Sequence, residues 1–102
     1  MATFSHFNLF CVLLVEAILL QAEEQFTKGN FDETGPLYDA AISSAKQHKF
    51  LNEEALANEL AGHFYLDTGN KVKSIVYFSQ AFKKYSEWGA VVKANTLTKY
   101  LI

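Results

Sequence analysis

Part of this chain repeats after forty residues, and that repeat constrains the fold more than any other feature of the sequence. Gly29 and Asn30 recur as Gly69 and Asn70, and small and large apolar residues recur in step around them. The apolar positions that recur are Ala17, Leu20, Ala22, Phe26, Tyr38, Ala41 and Ile42, which return as Ala57, Leu60, Gly62, Leu66, Phe78, Ala81 and Phe82. A fixed period of this size is typical of solenoids, whose units bury a core only by stacking. The sequence therefore predicts an all-α fold of tandem antiparallel helical hairpins, with about five helices.

Local signals predict where the first two helices begin and end. A helix from about Asn8 to Thr27 should end at Gly29, because glycine adopts the left-handed conformation that closes a helix. The second helix should follow within a few residues. Asp32 and Glu33 would lie near its positive end, and Pro36 is tolerable only if it falls in the first turn.

The later helices carry similar signals. Asn52 is the natural N-cap of a third helix, because its side chain can accept a hydrogen bond from a free backbone amide. Gly69 should end that helix and Asn70 should cap a fourth one. A short fifth helix is predicted after Gly89, where its apolar residues would cover the end of the stack.

The composition fits one small domain. Half of the 102 residues are apolar and a fifth are charged, as is usual for a globular unit. We predict a single domain over residues 1–102, with one hairpin over about 8–49, a second over about 52–88 and a closing helix over about 90–101.

Charge and cysteine content bear on the partner and the compartment. The chain has nine lysines, no arginine and eleven acidic residues, for a formal net charge of -2. Nucleic-acid binders need clustered basic residues that displace counterions from phosphates, so no nucleic-acid partner is predicted. Cys11 is the single cysteine of the sequence. It cannot form an internal disulfide, which favours a reducing, cytoplasmic compartment.

The apolar stretch from Phe7 to Leu20 raises the alternative of a targeting segment. A secretory signal has an apolar region of about 7 to 15 residues after a basic start. Residues 1–6 contain no Lys or Arg, Glu16 interrupts the apolar run, and Leu20 would occupy a cleavage position that needs a small residue. The stretch is also shorter than the roughly 20 residues of a membrane span. We predict a repeat helix; the alternative is a secreted or membrane-attached helical protein whose first 22 residues are removed.

Both copies match the tetratricopeptide pattern at its small and aromatic positions. The matching residues are Gly62, Tyr65, Phe78 and Ala81 in the second copy, and Ala22, Phe31, Tyr38 and Ala41 in the first. Small residues let two helices approach closely, and the aromatic rings fill the space between adjacent hairpins. Thr34 and Ser74 depart from the usual alanine, and the period exceeds the usual one of about 34 residues.

A longer run of residues resembles a narrower family. Residues 52–61 read NEEALANELA, and they are followed by Phe64, Tyr65, Leu66, Gly69, Tyr85, Trp88, Gly89, Ala90 and Lys93. This order resembles the last tetratricopeptide-like repeats of large multi-sensor signalling proteins. In those proteins a serine/threonine-kinase-like region and an AAA-type ATPase precede the repeats, and GAF and hybrid histidine-kinase modules follow. The resemblance covers most of residues 12–100, and it implies a fragment or derivative that has no activity of its own.

The sequence offers little support for catalysis. It contains no phosphate-binding glycine loop, no GxSxG turn, no kinase signature and no pair of cysteines at metal spacing. Glu59, His63 and Asp67 lie four residues apart, which places them on one side of the third helix. That spacing could supply metal ligands, although a solvated face with ion pairs of about 0.2 to 0.5 kcal/mol is more usual. The resemblance favours a third interpretation, in which this side lines a groove and the three residues contact a partner peptide.

The apolar N-terminal residues point to a second contact surface. Two hairpins alone leave part of the first helix uncovered, and contiguous exposed apolar surface usually marks an interaction site. We assign this surface to Phe7, Phe10, Leu13 and Leu14. The predicted function is a non-catalytic protein–protein interaction or scaffold module without cofactor or metal. Its partner would be a neighbouring repeat, a second copy or another helix. A second alternative is a metal-dependent enzyme that uses the Glu59, His63 and Asp67 side chains.

Overall fold

The chain is all-α, with five helices and no strand among the residues that the structure describes. This computed structural model describes the backbone of residues 2–101 and the side chains of residues 9–101. The helices are α1 (Ala2–Thr27), α2 (Phe31–Gln47), α3 (Leu51–Asp67), α4 (Lys71–Trp88) and α5 (Val91–Asn95), followed by a C-terminal 3-10 turn (Thr98–Tyr100). The predicted fold class is confirmed.

The first four helices end in turns of the same geometry. Each turn contains a residue with positive φ, and these residues follow one another at intervals of twenty: Gly29 (81°), Lys49 (62°), Gly69 (89°) and Gly89 (93°). In each turn the amide of this residue donates to the carbonyl three residues earlier, and the next amide donates to the carbonyl five residues before it. This is the Schellman arrangement, which satisfies the carbonyls at the end of a helix. Gly29 and Gly69 therefore occupy matching bends, as the repeat predicts.

Helix starts agree with the sequence less well. The Asn70 side chain accepts a hydrogen bond from the amide of Lys73 at 3.1 Å, so the predicted cap of α4 is confirmed. The predicted cap of α3 is wrong, because the helix begins one residue before Asn52 and its N-cap position is held by Phe50, which makes no side-chain hydrogen bond there. The amide of Glu54 already donates to the carbonyl of Phe50 at 2.8 Å, so the helical hydrogen bonds begin before Asn52.

Pro36 also departs from expectation, because it lies inside α2 and beyond the first turn. Proline has no N–H, so it cannot bond the carbonyl of Asp32 one turn earlier. Both residues are exposed. Water can therefore satisfy that carbonyl, and the helix continues to Gln47.

Consecutive helices pack antiparallel to one another. Between α3 and α4, the Tyr65 ring stacks on Tyr77 at 5.2 Å, whereas Glu59 near the middle of α3 reaches Tyr85 close to the far end of α4. α3 and α4 approach each other closely at Gly62, where an added Cβ would lie only 2.8 Å from the Phe78 ring. A larger residue at this position would push the two helices apart, because such an approach is below van der Waals contact.

Among the side chains of residues 9–101, two apolar clusters form the core, and they occupy equivalent places in the two copies. The first is built on α1, α2 and α3 and has Tyr38, Ala41 and Ala45 on its α2 side. The second is built on α3, α4, α5 and the residues after it, and has Phe78, Ala81 and Tyr85 on its α4 side. These two sets lie forty residues apart. The sequence repeat is thus also a repeat of core positions: α2 contributes one aromatic and two small residues, and α4 contributes two aromatic residues and one small residue.

Replacing Lys49 with Gly should stabilise the chain. A non-glycine residue in the left-handed region costs roughly 1–2 kcal/mol. Glycine avoids this cost but loses more backbone entropy on folding, so the net gain is only part of that amount. We expect Lys49→Gly to raise the free energy of unfolding by about 0.5–1 kcal/mol. Urea denaturation followed by circular dichroism should show a higher midpoint at an unchanged slope.

Gly69→Ala is the matched control for this substitution. Gly69 has the same turn geometry, and a Cβ added to it would meet no atom within 4 Å, so only the backbone conformation resists the change. It should lower stability by about 1 kcal/mol. A Lys49→Gly variant no more stable than the natural chain would show that the turn after α2 is not left-handed.

Candidate docking surfaces

Glu59 lies inside the fold, between three helices. Its residue surface is 9% exposed. One carboxylate oxygen accepts a hydrogen bond from the Tyr85 hydroxyl at 2.9 Å, and the other accepts one from the Lys93 ammonium at 3.1 Å. Tyr85 comes from α4 and Lys93 from α5, so this carboxylate ties both helices to α3. The contacts of Glu59 are made within the chain, and its proposed contact with a partner peptide gains no support from this placement.

The surroundings of Glu59 keep its tyrosine partner protonated. Burial, together with the hydrogen bond to Glu59 and the negative charge of that carboxylate, raises the pKa of Tyr85 above its ordinary value. The neutral phenol is the form that can donate a hydrogen bond to the carboxylate. In the other cluster, burial and the nearby Glu23 carboxylate raise the pKa of Tyr38 to about 12.

His63 and Asp67 have different surroundings from Glu59. The His63 ring packs edge-on against Phe78 at 4.9 Å and Tyr100 at 5.2 Å. Its Nε2 lies 3.9 Å from the Glu59 carboxylate, which is too far for a hydrogen bond. Asp67 is exposed at the end of α3.

No metal site is formed by these three residues. In the described part of the chain, no three or more His, Cys, Asp or Glu side chains lie close enough to hold a metal ion. The i, i+4 spacing correctly places Glu59, His63 and Asp67 along one helix. It does not bring all three together at one point.

A groove runs between α1 and α3, the two helices that begin the hairpins. One part is lined by Glu16, Leu19, Leu20, Glu23, Leu56 and Leu60. The adjoining part is lined by Glu23, Phe26, Thr27, Tyr38, Leu60, His63 and Phe64. Glu23 and Leu60 line both parts, so the two parts belong to one continuous groove. The groove is apolar at its base, with two α1 carboxylates along it, and His63 is the predicted site residue that reaches it.

Sequence reasoning missed the α1 side of this groove. Glu16 and Glu23 are seven residues apart, so they lie on the same side of a helix. Leu20 and Leu60 are a repeated pair of the forty-residue offset. Taken together, these two signals in the sequence indicate a groove between α1 and α3.

A second candidate surface is the apolar side of α1 that points away from the core. We call it the outer face of α1, and its residues are Leu9, Phe10, Leu13, Leu14, Ala17 and Leu20. Phe10 and Leu20 are 67% and 68% exposed, which is unusual for side chains of this size. The predicted contact residues Phe10, Leu13 and Leu14 therefore lie together on an open surface. The side chain of the fourth, Phe7, lies outside the described residues.

The opposite side of α1 belongs to the core. Val15, Leu19 and Ala22 are buried in the first cluster, and α1 continues without a break past Ala22. Removal of the first 22 residues, as in the secreted alternative, would take these three side chains out of that cluster. No helix within residues 2–101 combines the length and the apolar character needed to cross a membrane.

Comparison with known proteins gives one partial match to a signalling protein. Over 55 residues, which are 54% of its length, the chain is 38% identical to hybrid signal transduction histidine kinase G of Dictyostelium discoideum. The chain spans about 2% of the length of that kinase. No protein-family model matches the chain, and no solved structure matches it. The chain is thus similar to a small region of a signal-transduction protein.

Removal of the Tyr85 hydroxyl should destabilise the fold. In Tyr85→Phe the Glu59 carboxylate would stay buried with one donor fewer, at a cost of about 1–3 kcal/mol in the free energy of unfolding. Tyr77→Phe is the matched control, because the Tyr77 hydroxyl bonds an exposed Asp39 carboxylate that water can serve instead. Urea denaturation should show the larger loss for Tyr85→Phe, and equal losses would mean that Glu59 is hydrated.

The pH dependence gives an independent check. Folding raises the pKa of Tyr85. The contribution of this group to the free energy of unfolding is therefore complete below the unfolded pKa of about 10, and it is lost as the pH rises above that value. The natural chain should therefore lose stability above pH 10 more steeply than Tyr85→Phe. Parallel curves would contradict the hydrogen bond from a neutral Tyr85 phenol.

Proposed function

We propose that the chain is a non-catalytic docking module, built from tetratricopeptide-like hairpins, that acts within or alongside a signal-transduction protein. The observation that carries this proposal is the outer face of α1. Several large apolar side chains are exposed together there, and such a patch on a small domain usually serves binding. An exposed apolar patch makes a free chain prone to aggregation, and a partner that covers the patch would remove that risk.

The packing of the hairpins supports the tetratricopeptide-like assignment. Pairs of antiparallel helices repeat after forty residues, and the approach at Gly62 uses a small residue against the Phe78 ring. A small residue packed against an aromatic ring at this contact supports the tetratricopeptide-like pattern. Repeats of this kind offer binding surfaces, and each repeat contacts only its neighbours.

The signalling context rests on the similarity to the hybrid histidine kinase. The matched stretch covers about half of this chain and a very small part of that kinase. We infer that the chain is a fragment or derivative of a multidomain signal-transduction kinase, in which it contributes docking rather than phosphoryl transfer. A buried free Cys11 fits the reducing cytoplasm that we propose as its compartment.

The groove between α1 and α3 would add polar selectivity to the apolar contact. Glu16 and Glu23 line it from α1, and His63 lines it from α3. A partner segment with basic side chains beside an apolar stripe would complement this groove. We prefer docking to metal-dependent catalysis because the Glu59 carboxylate is buried and is held within the fold by Tyr85 and Lys93.

Site-specific photo-cross-linking inside the cells that express the chain tests this function. A photoreactive amino acid at Leu13, on the outer face of α1, should cross-link to a protein when the cells are irradiated. The same amino acid at Val72 is the matched control, because Val72 is a 79% exposed apolar residue on α4. Mass spectrometry of the cross-linked bands identifies what lies against each position.

The proposal predicts a discrete protein band from Leu13 that is missing from the Val72 control. Equal cross-linking from both positions, or none from Leu13, would show that the outer face of α1 is ordinary surface. Cross-linking of Leu13 to lipid instead of protein would favour the membrane-attached alternative.

A further inference from the structure

The outer face of α1 has two counterparts later in the chain, forty and eighty residues on. Four of its positions, Phe10, Leu14, Ala17 and Leu20, correspond to Phe50, Glu54, Ala57 and Leu60, and then to Ala90, Ala94, Leu97 and Tyr100. The third set falls on α5, its N-cap and the residues that follow it. The segment after Gly89 has the features of the beginning of a third repeat, because α5 starts forty residues after α3 and its residues continue the series that begins on α1.

The two later counterparts are covered, and the first is not. Ala57 is fully buried and Leu97 is 1% exposed, whereas Ala17, which holds the same position in the first repeat, is exposed. Leu60 and Tyr100 are half-buried, in contrast to Leu20. The same helix position thus has different surroundings in the three repeats, so the cause lies in what packs against it.

The covering element is the second helix of the preceding hairpin. In the first cluster, Tyr38, Ala41 and Ala45 of α2 pack with the α3 residues. In the second cluster, Phe78, Ala81 and Tyr85 of α4 pack with the residues after Gly89. α1 has no hairpin before it within residues 2–101. Its outer face is therefore shaped to receive a helix like α2 or α4.

The helices α2 and α4 differ in charge. α1 contains three glutamates and no lysine or arginine. α4 contains four lysines and one glutamate, whereas α2 contains three acidic residues and one lysine. A helix with the charge of α4 is complementary to α1, and a helix with the charge of α2 would repel it. The same reasoning disfavours pairing of two α1 helices, because both would be acidic.

We propose that the partner is a second copy of this chain, docked head to tail. The outer face of α1 in one molecule packs on α4 of the next, in the place that α5 and the 3-10 turn hold in the isolated chain. This inference rests on the proposed docking function and names the partner. The register supports it, since Leu14, Ala17 and Leu20 of α1 would take the positions of Ala94, Leu97 and Tyr100.

The exchange replaces a short covering segment by a long helix. α5 has five residues and the 3-10 turn has three, whereas α1 has 26. The displaced segment gives up its Lys93–Glu59 hydrogen bond of 3.1 Å and the stacking of Tyr100 on Phe78. A substitution that removes a contact between this segment and the rest of the chain should therefore favour association.

Analytical ultracentrifugation of the full chain, from micromolar to millimolar concentration, is the test. Head-to-tail contacts leave one free end of each kind, so the average mass should pass that of a dimer as concentration rises. Leu20→Glu places a charge on an exposed position of the face and should weaken association about tenfold or more. Val72→Glu is the control, because Val72 is similarly exposed but lies away from the α4 side that packs with α5. Circular dichroism confirms that each variant is folded.

Two further measurements separate the proposed contact from other kinds of association. Lys93→Ala removes one bond that holds α5, so it should strengthen association at equal concentration. Added salt should weaken the contact, because it screens the attraction between α1 and α4. Phe10→Glu should reproduce the effect of Leu20→Glu, which guards against a local effect of one substitution.

Several outcomes would overturn the proposal. A chain that stays monomeric over the whole range has no such contact. Mass that levels off at two copies and increases with salt would indicate α1 pairing with α1. Equal weakening by Val72→Glu would assign the contact to another surface. A monomeric chain that still cross-links a different protein from Leu13 would keep the docking function and remove only the second copy as its partner.

Discussion

The turns that end the first four helices set the geometry of the whole chain. Residues with positive φ recur every twenty positions, so α2 and α3 are each 17 residues long and α4 has 18. These helices of nearly equal length are joined by turns of the same geometry, and they run antiparallel, so the chain returns to the same direction after two of them. The apolar positions therefore coincide every forty residues, and one packing scheme serves both hairpins.

This scheme makes the two ends of the stack unequal. At the C-terminal end, α5 and the 3-10 turn cover α4, and Glu59 ties α5 to α3 through the ammonium group of Lys93. At the N-terminal end, no described element covers the outer face of α1. The stack is closed at one end and open at the other. The helix at the open end, α1, is acidic, whereas α4 at the closed end is basic. The open end is the part of the molecule on which the proposed docking function rests.

The sequence predicted the elements that depend on residues close together in the chain. Gly29, Gly69 and Gly89 indicated the turns at their positions, because glycine is the residue that favours positive φ. The same turn at Lys49 carries no such signal, so the start of α3 was misplaced and Asn52 was assigned as its cap. The burial of Glu59 could not be predicted either, because Lys93, its distant partner, reaches it only through the packing of α5. Helical spacing shows which residues share a side of a helix, but not what covers that side.

The exposure of leucine side chains on the corresponding faces of the three repeats is the most direct test of the open end. Methyl NMR of the dilute chain with a soluble paramagnetic agent reports how closely solvent approaches each side chain. The agent should relax the Leu20 methyl groups much faster than those of Leu97, with Leu60 in between, as their burial requires. If Leu20 is as protected as Leu97 in a monomeric sample, α1 is covered by the chain itself, and no open face exists for a partner.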